Sequence, residues 1–340
     1  MASKFSALLE SRYLGWIGLA IALLAPFVTA TNYSLSVMTS ALLFVMLAVG
    51  LNIVVGYCGL LDLGYAAFFA IGAYTSGVLA TRYDWSLLAT IPVVIAAAVV
   101  AGVIIGGPTL RLRSDYLAIV TLGFGEIIRI TANNLEITGG PSGIFGIPGI
   151  TIGPLDLSTP VAFYYTCVVA VGLAVLGASR LGRSRLGRAW RFVREDEDAA
   201  EAMGIHTYKV KLAAYIAGAI WGGLAGILFG AQLTAISPQS FTFLWSALIL
   251  MAVVLGGMGS TPGVVIGAVF VSVAPELLRG VADYRYFVFG VLLIVVMIFR
   301  PQGVWPTRAA ERAPRKRRTT KDGPGGPGQS PQDRTVEAGS

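Results

Sequence analysis

A series of long apolar blocks constrains this chain more than any other feature of its sequence. A helix needs about 20 residues to cross roughly 30 Å of hydrocarbon, and most of the blocks approach that length. The ten blocks are Leu14–Ala30, Val37–Val55, Leu63–Ala80, Leu87–Ile105, Tyr116–Ala132, Val161–Ala178, Leu212–Leu233, Phe243–Leu255, Gly263–Leu278 and Tyr284–Phe299. They predict an all-α fold, a polytopic bundle of transmembrane helices.

Composition agrees with a membrane protein and leaves the number of spans open. Of the 340 residues, 55% are hydrophobic and 13% are charged, whereas a soluble domain carries about 25% charged residues. The last three blocks are short for a complete span. One or two of them could be broken or re-entrant segments, which are tolerated where protein covers them. We therefore expect about eight to ten spans.

Lysine and arginine are distributed unevenly between alternate connections. With the N-terminus inside, the inner segments are 56–62, 106–115, 179–211, 256–262 and the C-terminal tail. The only Lys or Arg residues in the outer segments are Arg82 and Arg279. Cytoplasmic loops carry an excess of Lys and Arg. This asymmetry predicts a multi-pass protein of the cell membrane with both termini in the cytoplasm. The end of block Leu14–Ala30 resembles a signal-peptidase site, so cleavage there is an alternative. If the block is instead retained as a span, the connections alternate between inside and outside as described above.

Two units follow from these patterns. Residues 1–306 form the predicted transmembrane domain, which includes a charged loop at 180–211. Residues 307–340 are rich in Pro, Gly, Ser and charge, a composition typical of disorder. Their basic run is expected to lie near anionic lipid. Nucleic acid is not an expected partner, because no soluble domain is visible that could present a basic patch.

The charged loop contains six arginines, followed by an acidic cluster. Residues Glu195–Met203 have helical composition, with acids early, and Gly204 suits the C-terminal cap. Ala199, Ala200, Ala202 and Met203 would give this helix a small apolar face. Such a face can insert into a groove on a soluble partner, although a solvated loop helix has a similar pattern.

Several kinds of chemistry are disfavoured. His206 is the single histidine, and Cys58 and Cys167 lie far apart, so the sequence predicts no metal site and no disulfide framework. The chain contains no Gly-Lys dipeptide and therefore no phosphate loop of the GxxxxGK[ST] type. We expect no cofactor, no catalytic residues and no enzymatic activity of its own.

Four polar residues fall inside or beside apolar blocks, where ionisable groups are costly and tend to face cavities or partners. They are Asn52, Asp62, Glu126 and Arg129. Glu126 and Arg129 are three residues apart and share a helix face. They could form an internal ion pair or line a polar translocation pathway, and Asn52 and Asp62 are further pathway candidates.

Glycines recur at every fourth position in two places. Gly218, Gly222, Gly226 and Gly230 form one stripe, and Gly259, Gly263 and Gly267 repeat the pattern. Small residues at this spacing let helix backbones approach closely in lipid. The stripes indicate either tight packing within the chain or a seam that moves or faces another subunit.

Six stretches together resemble the branched-chain amino-acid permease subunits of ABC importers. They are GLNIVVGYCGLLDLGYAAFFAIGAY (50–74), LRLRSDYLAIVTLGFGEIIRI (110–130), TGGPSGIFGIP (138–148), GRAWRFVREDEDAAEAMGIHTYKVKL (187–212), VLGGMGSTPGVVIGA (254–268) and FRPQGVWP (299–306). The resemblance covers about residues 40–306. Its DAAEAMG segment is a loose version of the general permease signature EAA…G.

The resemblance implies an ATP-driven importer with several other subunits. These are a second permease, two cytoplasmic ATPases that hydrolyse the ATP, and an extracytoplasmic solute-binding protein that delivers the substrate. It also implies that the loop helix, with Ala199, Ala200 and Gly204, is the coupling helix that docks on an ATPase. The predicted coupling residues are Glu195, Ala199, Ala200, Glu201, Met203 and Gly204.

Two other functions remain open at this stage. Related permeases carry urea, short amides or aromatic acids on the same scaffold. A secondary transporter would instead use Asp62 or Glu126 for proton or sodium coupling. The small number of intramembrane acids and the large charged loop argue against the secondary transporter.

Overall fold

A computed structural model describes residues 22–24, 26, 31–111, 114–152, 155–277, 290–291, 294 and 305. Predicted span Leu14–Ala30 falls mostly outside this set, as does Tyr284–Phe299. The predicted tail at 307–340 lies entirely outside it.

The described chain is built almost entirely of helices, which confirms the predicted all-α membrane bundle. The α-helices are α1 Asn32–Leu51, α2 Ala66–Arg82, α3 Leu87–Thr109, α4 Ser114–Asn134, α5 Pro160–Arg183, α6 Arg185–Glu195, α7 Glu197–Ala202, α8 Thr207–Leu233, α9 Phe243–Gly256 and α10 Thr261–Leu277. A π-helix, Asn52–Tyr57, continues α1, and three short 3₁₀ turns lie at Glu136–Thr138, Gly140–Ser142 and Pro238–Phe241. Four two-residue strands are β1 Ile144–Phe145, β2 Thr151–Ile152, β3 Leu155–Asp156 and β4 Ala235–Ile236.

Five helical segments among the described residues are long and apolar enough to cross a membrane. They are Asn32–Tyr57, Leu87–Thr109, Pro160–Arg183, Thr207–Leu233 and Pro238–Gly256, and a shorter apolar helix covers Thr261–Glu276. The predicted block Phe243–Leu255 gains length from the 3₁₀ turn that precedes it. The predicted block Leu63–Ala80 was placed too early, because its helix begins only at Ala66. A count of eight to ten spans stays a prediction.

Helix α8 lies at the centre of the bundle. It packs against α1, α2 and α3, while α1 also contacts α5, α9 and α10. Helices α9 and α10 form a tightly packed pair. The side chains that fill the interior include Tyr65, Phe68, Phe69 and Tyr215, all of which are fully buried.

The connections gather at two ends of the bundle, as alternating crossings require. At one end, the Tyr208 hydroxyl donates to the Gly107 carbonyl over 3.2 Å, and the charged loop lies beside the end of the π-helix. At the other end, the Arg82 guanidinium donates to the Glu136 carbonyl over 2.8 Å, and β1 pairs antiparallel with β4. Which end faces the cytoplasm stays a prediction from the charge distribution.

Candidate functional site

The charged loop folds into two short helices rather than one. Helix α6 begins after Ser184, whose hydroxyl accepts from the Gly187 N–H over 3.1 Å. It ends at Glu195, where Asp196 is extended (φ −157°, ψ 111°) and its carboxylate accepts from the Ala199 N–H over 2.9 Å. Aspartate is a favoured N-cap residue, so it starts a new helix there. The helix predicted over Glu195–Met203 is therefore present but shorter, at Glu197–Ala202, and Glu195 belongs to α6, which was not predicted.

Helix α7 closes at Gly204, which adopts φ +83°. The Ile205 N–H donates to the Ala200 carbonyl over 3.1 Å and the Gly204 N–H donates to the Glu201 carbonyl over 2.9 Å. This is the hydrogen-bond pattern of a Schellman cap, in which glycine avoids the strain of a left-handed backbone.

The predicted apolar face of α7 is divided between the protein and solvent. Ala200 is 3% exposed and packs inward, whereas Met203 is 81% exposed. Ala199, Glu201 and Ala202 are also exposed. Ala199, Ala202 and Met203 therefore form an uncovered patch on this chain, which we call the α7 patch.

Three side chains that the sequence analysis did not single out hold α6 and α7 against the bundle. Trp190 is fully buried, donates from Nε1 to the Val210 carbonyl over 2.8 Å, and stacks on Tyr57 with ring centroids 6.4 Å apart. Lys211 forms an ion pair with Glu197, and Arg194 donates to the Gly56 carbonyl. A tryptophan within an arginine-rich segment was the signal that could have revealed this anchor.

Partial burial lowers the pKa of the Arg194 guanidinium from its usual value, and the neighbouring Glu195 carboxylate acts in the opposite direction. Because arginine titrates far above neutral pH, Arg194 keeps its charge. It therefore remains a donor to the Gly56 carbonyl under all physiological conditions.

Asn52 lies within the apolar segment Asn32–Tyr57, at the start of its π-helical part. Its side chain is fully buried, and its Oδ1 accepts from the Gly259 N–H over 2.9 Å. In the described part of the chain, its Nδ2 finds no acceptor. Asn52 therefore links the end of α1 to the turn between α9 and α10.

Asp62 lies in the broken segment between the π-helix and α2, where it is fully buried. Its Oδ1 accepts from the Gly64 N–H over 2.8 Å, and the adjacent Leu63 N–H donates to the Thr121 hydroxyl over 3.1 Å. Its other oxygen has no hydrogen-bond partner among the described residues. These contacts fix the broken segment against α4.

Glu126 and Arg129 form an ion pair on α4, with Arg129 Nε 2.8 Å from Glu126 Oε2. Their side chains are 33% and 24% exposed, respectively. Within the described residues, no hydrogen bond joins this pair to Asn52 or Asp62. The ion pair is therefore not linked directly to the other two predicted pathway residues, and the role of all four in translocation stays a prediction.

The Glu126–Arg129 pair leads to a stability prediction. Arg129→Met should lower the midpoint of thermal unfolding in detergent, because it leaves a partly buried carboxylate without its cation. The cost should fall between the ~1 kcal/mol of an exposed pair and the roughly 3–5 kcal/mol of a buried one. Adding Glu126→Gln should restore most of the loss. A double variant that is less stable than Arg129→Met would contradict this account.

Three of the four stripe glycines on α8 lie in close contact with other helices of the same chain. A Cβ at Gly218 would lie 2.5 Å from Val54 Cγ2, and one at Gly226 would lie 2.4 Å from the Phe69 carbonyl oxygen. At Gly222 the nearest atom, Phe68 Cβ, is 3.0 Å away, and at Gly230 the nearest described atom is 3.4 Å away. An interior seam therefore runs from Gly218 to Gly226.

The second predicted stripe is partly wrong. Gly259 is not helical, because it occupies the turn before α10 with φ +85°. Gly263 and Gly267 do lie on α10, where a Cβ at either would approach backbone atoms of α9 to 2.2 Å and 2.4 Å, respectively. A further close contact, which was not predicted from the sequence, joins α2 to α8, since a Cβ at Gly72 would lie 2.0 Å from the Gly223 carbonyl oxygen.

Among the residues that the structure describes, no group of three or more His, Cys, Asp or Glu side chains could hold a metal ion. Cys58 and Cys167 are both free and buried.

Comparison with known proteins identifies the family. Residues 33–297 match the model described as "Branched-chain amino acid transport system / permease component". The chain is 41% identical over 312 residues to the high-affinity branched-chain amino acid transport system permease protein LivM of Salmonella typhimurium, covering 85% of this chain and 73% of LivM. LivM of Escherichia coli gives the same identity and coverage.

More distant relatives include the permease protein LivH of Salmonella typhimurium, which is 25% identical and covers 77% of this chain and 90% of LivH. No solved structure matches the chain significantly. Since the family model spans most of the sequence and the LivM proteins align along most of it, this chain belongs to the family of branched-chain amino acid transport permease components.

Proposed function

We propose that this chain is the membrane-spanning permease subunit of an ATP-driven importer for branched-chain amino acids. The observation that carries the proposal is the 41% identity to LivM along most of the chain. The absence of a Gly-Lys phosphate loop from the sequence supports an external source of energy. The importer then comprises a second permease, two cytoplasmic ATPases and an extracytoplasmic solute-binding protein.

In this mechanism the α7 patch is the contact with an ATPase. Met203 and Ala199 project from a helix whose other side is fixed by Ala200 and by the Glu197–Lys211 ion pair. A helix held in this way moves with the bundle rather than independently of it. Closure of the ATPases on ATP pushes α6 and α7, and the bundle changes the side to which the pathway opens.

The glycine contacts support movement by rigid groups of helices. The backbones of α2 and α8 approach closely at Gly226 and Gly72, where a Cβ would meet backbone atoms of the other helix. Such close packing favours movement of the two helices together. Energy therefore reaches the pathway as displacement of packed helices.

The decisive experiment reconstitutes this chain with its second permease, both ATPases and the binding protein in proteoliposomes. Uptake of radiolabelled leucine should require ATP and the binding protein, and it should persist when an uncoupler dissipates ion gradients. Competition by isoleucine and valine, but not by urea, acetamide or phenylalanine, would support the branched-chain assignment over the related substrates. Vesicles that contain this chain alone and concentrate leucine under an ion gradient would overturn the proposal.

A further inference from the structure

The π-helix at Asn52–Tyr57 is the one regular element of the described chain wound more widely than an α-helix. All six of its residues are buried. Hydrogen bonds in a π-helix span five residues instead of four, and short π segments concentrate at functional sites. A return of this segment to α geometry would rotate and shift every residue that follows it.

The charged loop contacts the C-terminal end of this π-helix at two points. Arg194 donates to the Gly56 carbonyl, and its stem crosses Gly59, where a Cβ would lie 2.8 Å from Arg194 Cγ. Trp190 stacks on Tyr57 with an interplanar angle of 9°. A displacement of α6 is thus passed directly to the last two residues of the π-helix.

The π-helix also contacts the α9–α10 turn and the first residue of α10. Asn52 Oδ1 accepts from the Gly259 N–H over 2.9 Å, and the Tyr57 hydroxyl lies 2.7 Å from Thr261 Oγ1. Gly56 makes the first contact possible, because a Cβ there would lie 1.9 Å from Asn52 Oδ1 and 2.5 Å from the Gly259 nitrogen.

Asn52 also has an unsatisfied hydrogen-bond donor. Its Nδ2 is buried without an acceptor among the described residues. A buried donor that lacks a partner is costly, and each such group calls for an explanation. A second arrangement of the π-helix that brought this amide to a backbone carbonyl would remove the cost.

We infer that Arg194 and Asn52 are positioning residues that connect α6 to the α9–α10 pair through the π-helix, so that displacement of the charged loop switches the π-helix and moves α9 and α10. This inference rests on the proposed function, because the displacement is supplied by the ATPases. It assigns the transmission to a specific set of contacts, Arg194–Gly56 and Asn52–Gly259, which we call the Arg194–Asn52 relay.

The test uses the complete reconstituted importer and the variant Arg194→Met, which keeps the stem over Gly59 and removes only the guanidinium. The number of leucine molecules imported per ATP hydrolysed should fall about tenfold, while the amount of assembled complex stays unchanged. The matched control is Arg185→Met on the exposed first turn of the same helix, which should keep the wild-type ratio. Arg194→Lys, which retains a cationic donor, should recover part of the coupling.

A second readout follows the π-helix itself. Cys58 is the next residue in the chain and is buried, so its alkylation by N-ethylmaleimide, measured by mass spectrometry of its peptide, reports on this segment. In the wild type the rate should differ between the nucleotide-free and the vanadate-trapped importer, and in Arg194→Met this difference should disappear. Cys167 on α5 is the internal control, with a rate that does not depend on Arg194.

Asn52→Leu should uncouple transport to the same degree, and the double variant Asn52→Leu/Arg194→Met should be no worse than either single one, because both interrupt one relay. Wild-type coupling and a normal Cys58 response in Arg194→Met would overturn the inference while leaving the proposed function intact. The inference would also be overturned if Arg194→Met reduced the amount of assembled complex while the remaining complex imported the wild-type number of leucine molecules per ATP. Arg194 would then have a purely structural role. Failure of the wild type and Arg185→Met to import leucine with ATP would instead reject the proposed function.

Discussion

Gly226→Leu is expected to abolish assembly of the folded chain. A Cβ at this position would lie 2.4 Å from the Phe69 carbonyl oxygen and 2.5 Å from the Ala73 nitrogen. Both atoms belong to the backbone of α2, so no side chain can turn aside to make room. Overpacking of a core costs about 1–3 kcal/mol even where side chains can adjust. The measurement is the yield of monodisperse protein from size-exclusion chromatography in mild detergent.

Smaller substitutions on the same face provide the control. Gly226→Ala should reduce the yield severalfold, whereas Gly230→Ala, one turn away, should leave it within about twofold. The difference arises because the nearest described atom to a Cβ at Gly230 is the Ile147 Cδ1 methyl carbon at 3.4 Å, an ordinary contact distance. Equal yields for the two alanine variants would show that close backbone approach at Gly226 is not required.

Met203→Asp is expected to reduce ATP-dependent uptake about 30-fold, the factor that corresponds to roughly 2 kcal/mol for one buried anchor at an interface. Met203 is 81% exposed on this chain, so the substitution leaves the fold of the permease itself unchanged. In the assembled importer, the α7 patch would place the new carboxylate in an apolar contact with the ATPase. Uptake by proteoliposomes and co-purification of the ATPases are the two measurements.

Met203→Leu keeps an apolar side chain of similar volume and should retain at least half of the wild-type uptake. Membrane insertion and thermal stability of the isolated permease should match the wild type in both variants. If Met203→Asp transports normally and retains its ATPases, the α7 patch is not the docking site, and the coupling role proposed for this helix fails.

Much of the helical fold could be predicted because the length of an apolar block is a property of a single segment. The boundaries that were wrong lie where the chain departs from regular α geometry. Helix α2 begins at Ala66 instead of Leu63 because the Asp62–Gly64 turn docks on Thr121 of α4. No local pattern shows that contact, because the two partners are far apart in the sequence.

Only those parts of the candidate site that depend on residues close together in the sequence could be predicted. The cap at Gly204 and the ion pair between Glu126 and Arg129 depend on spacings of a few residues, and both are visible in the sequence. The contact between Arg194 and the Gly56 carbonyl joins residues 138 positions apart. The role of Gly259 was misread because a four-residue repeat suggested a helix, whereas its positive φ places it in a turn.

The contact between Gly72 and Gly223 has a consequence for how the pathway opens. Because the backbones of α2 and α8 approach closely at these two glycines, we expect the two helices to move together as one rigid unit. Under the proposed function, opening of the pathway would then require displacement of this two-helix unit relative to its neighbours, which include the packed pair α9 and α10.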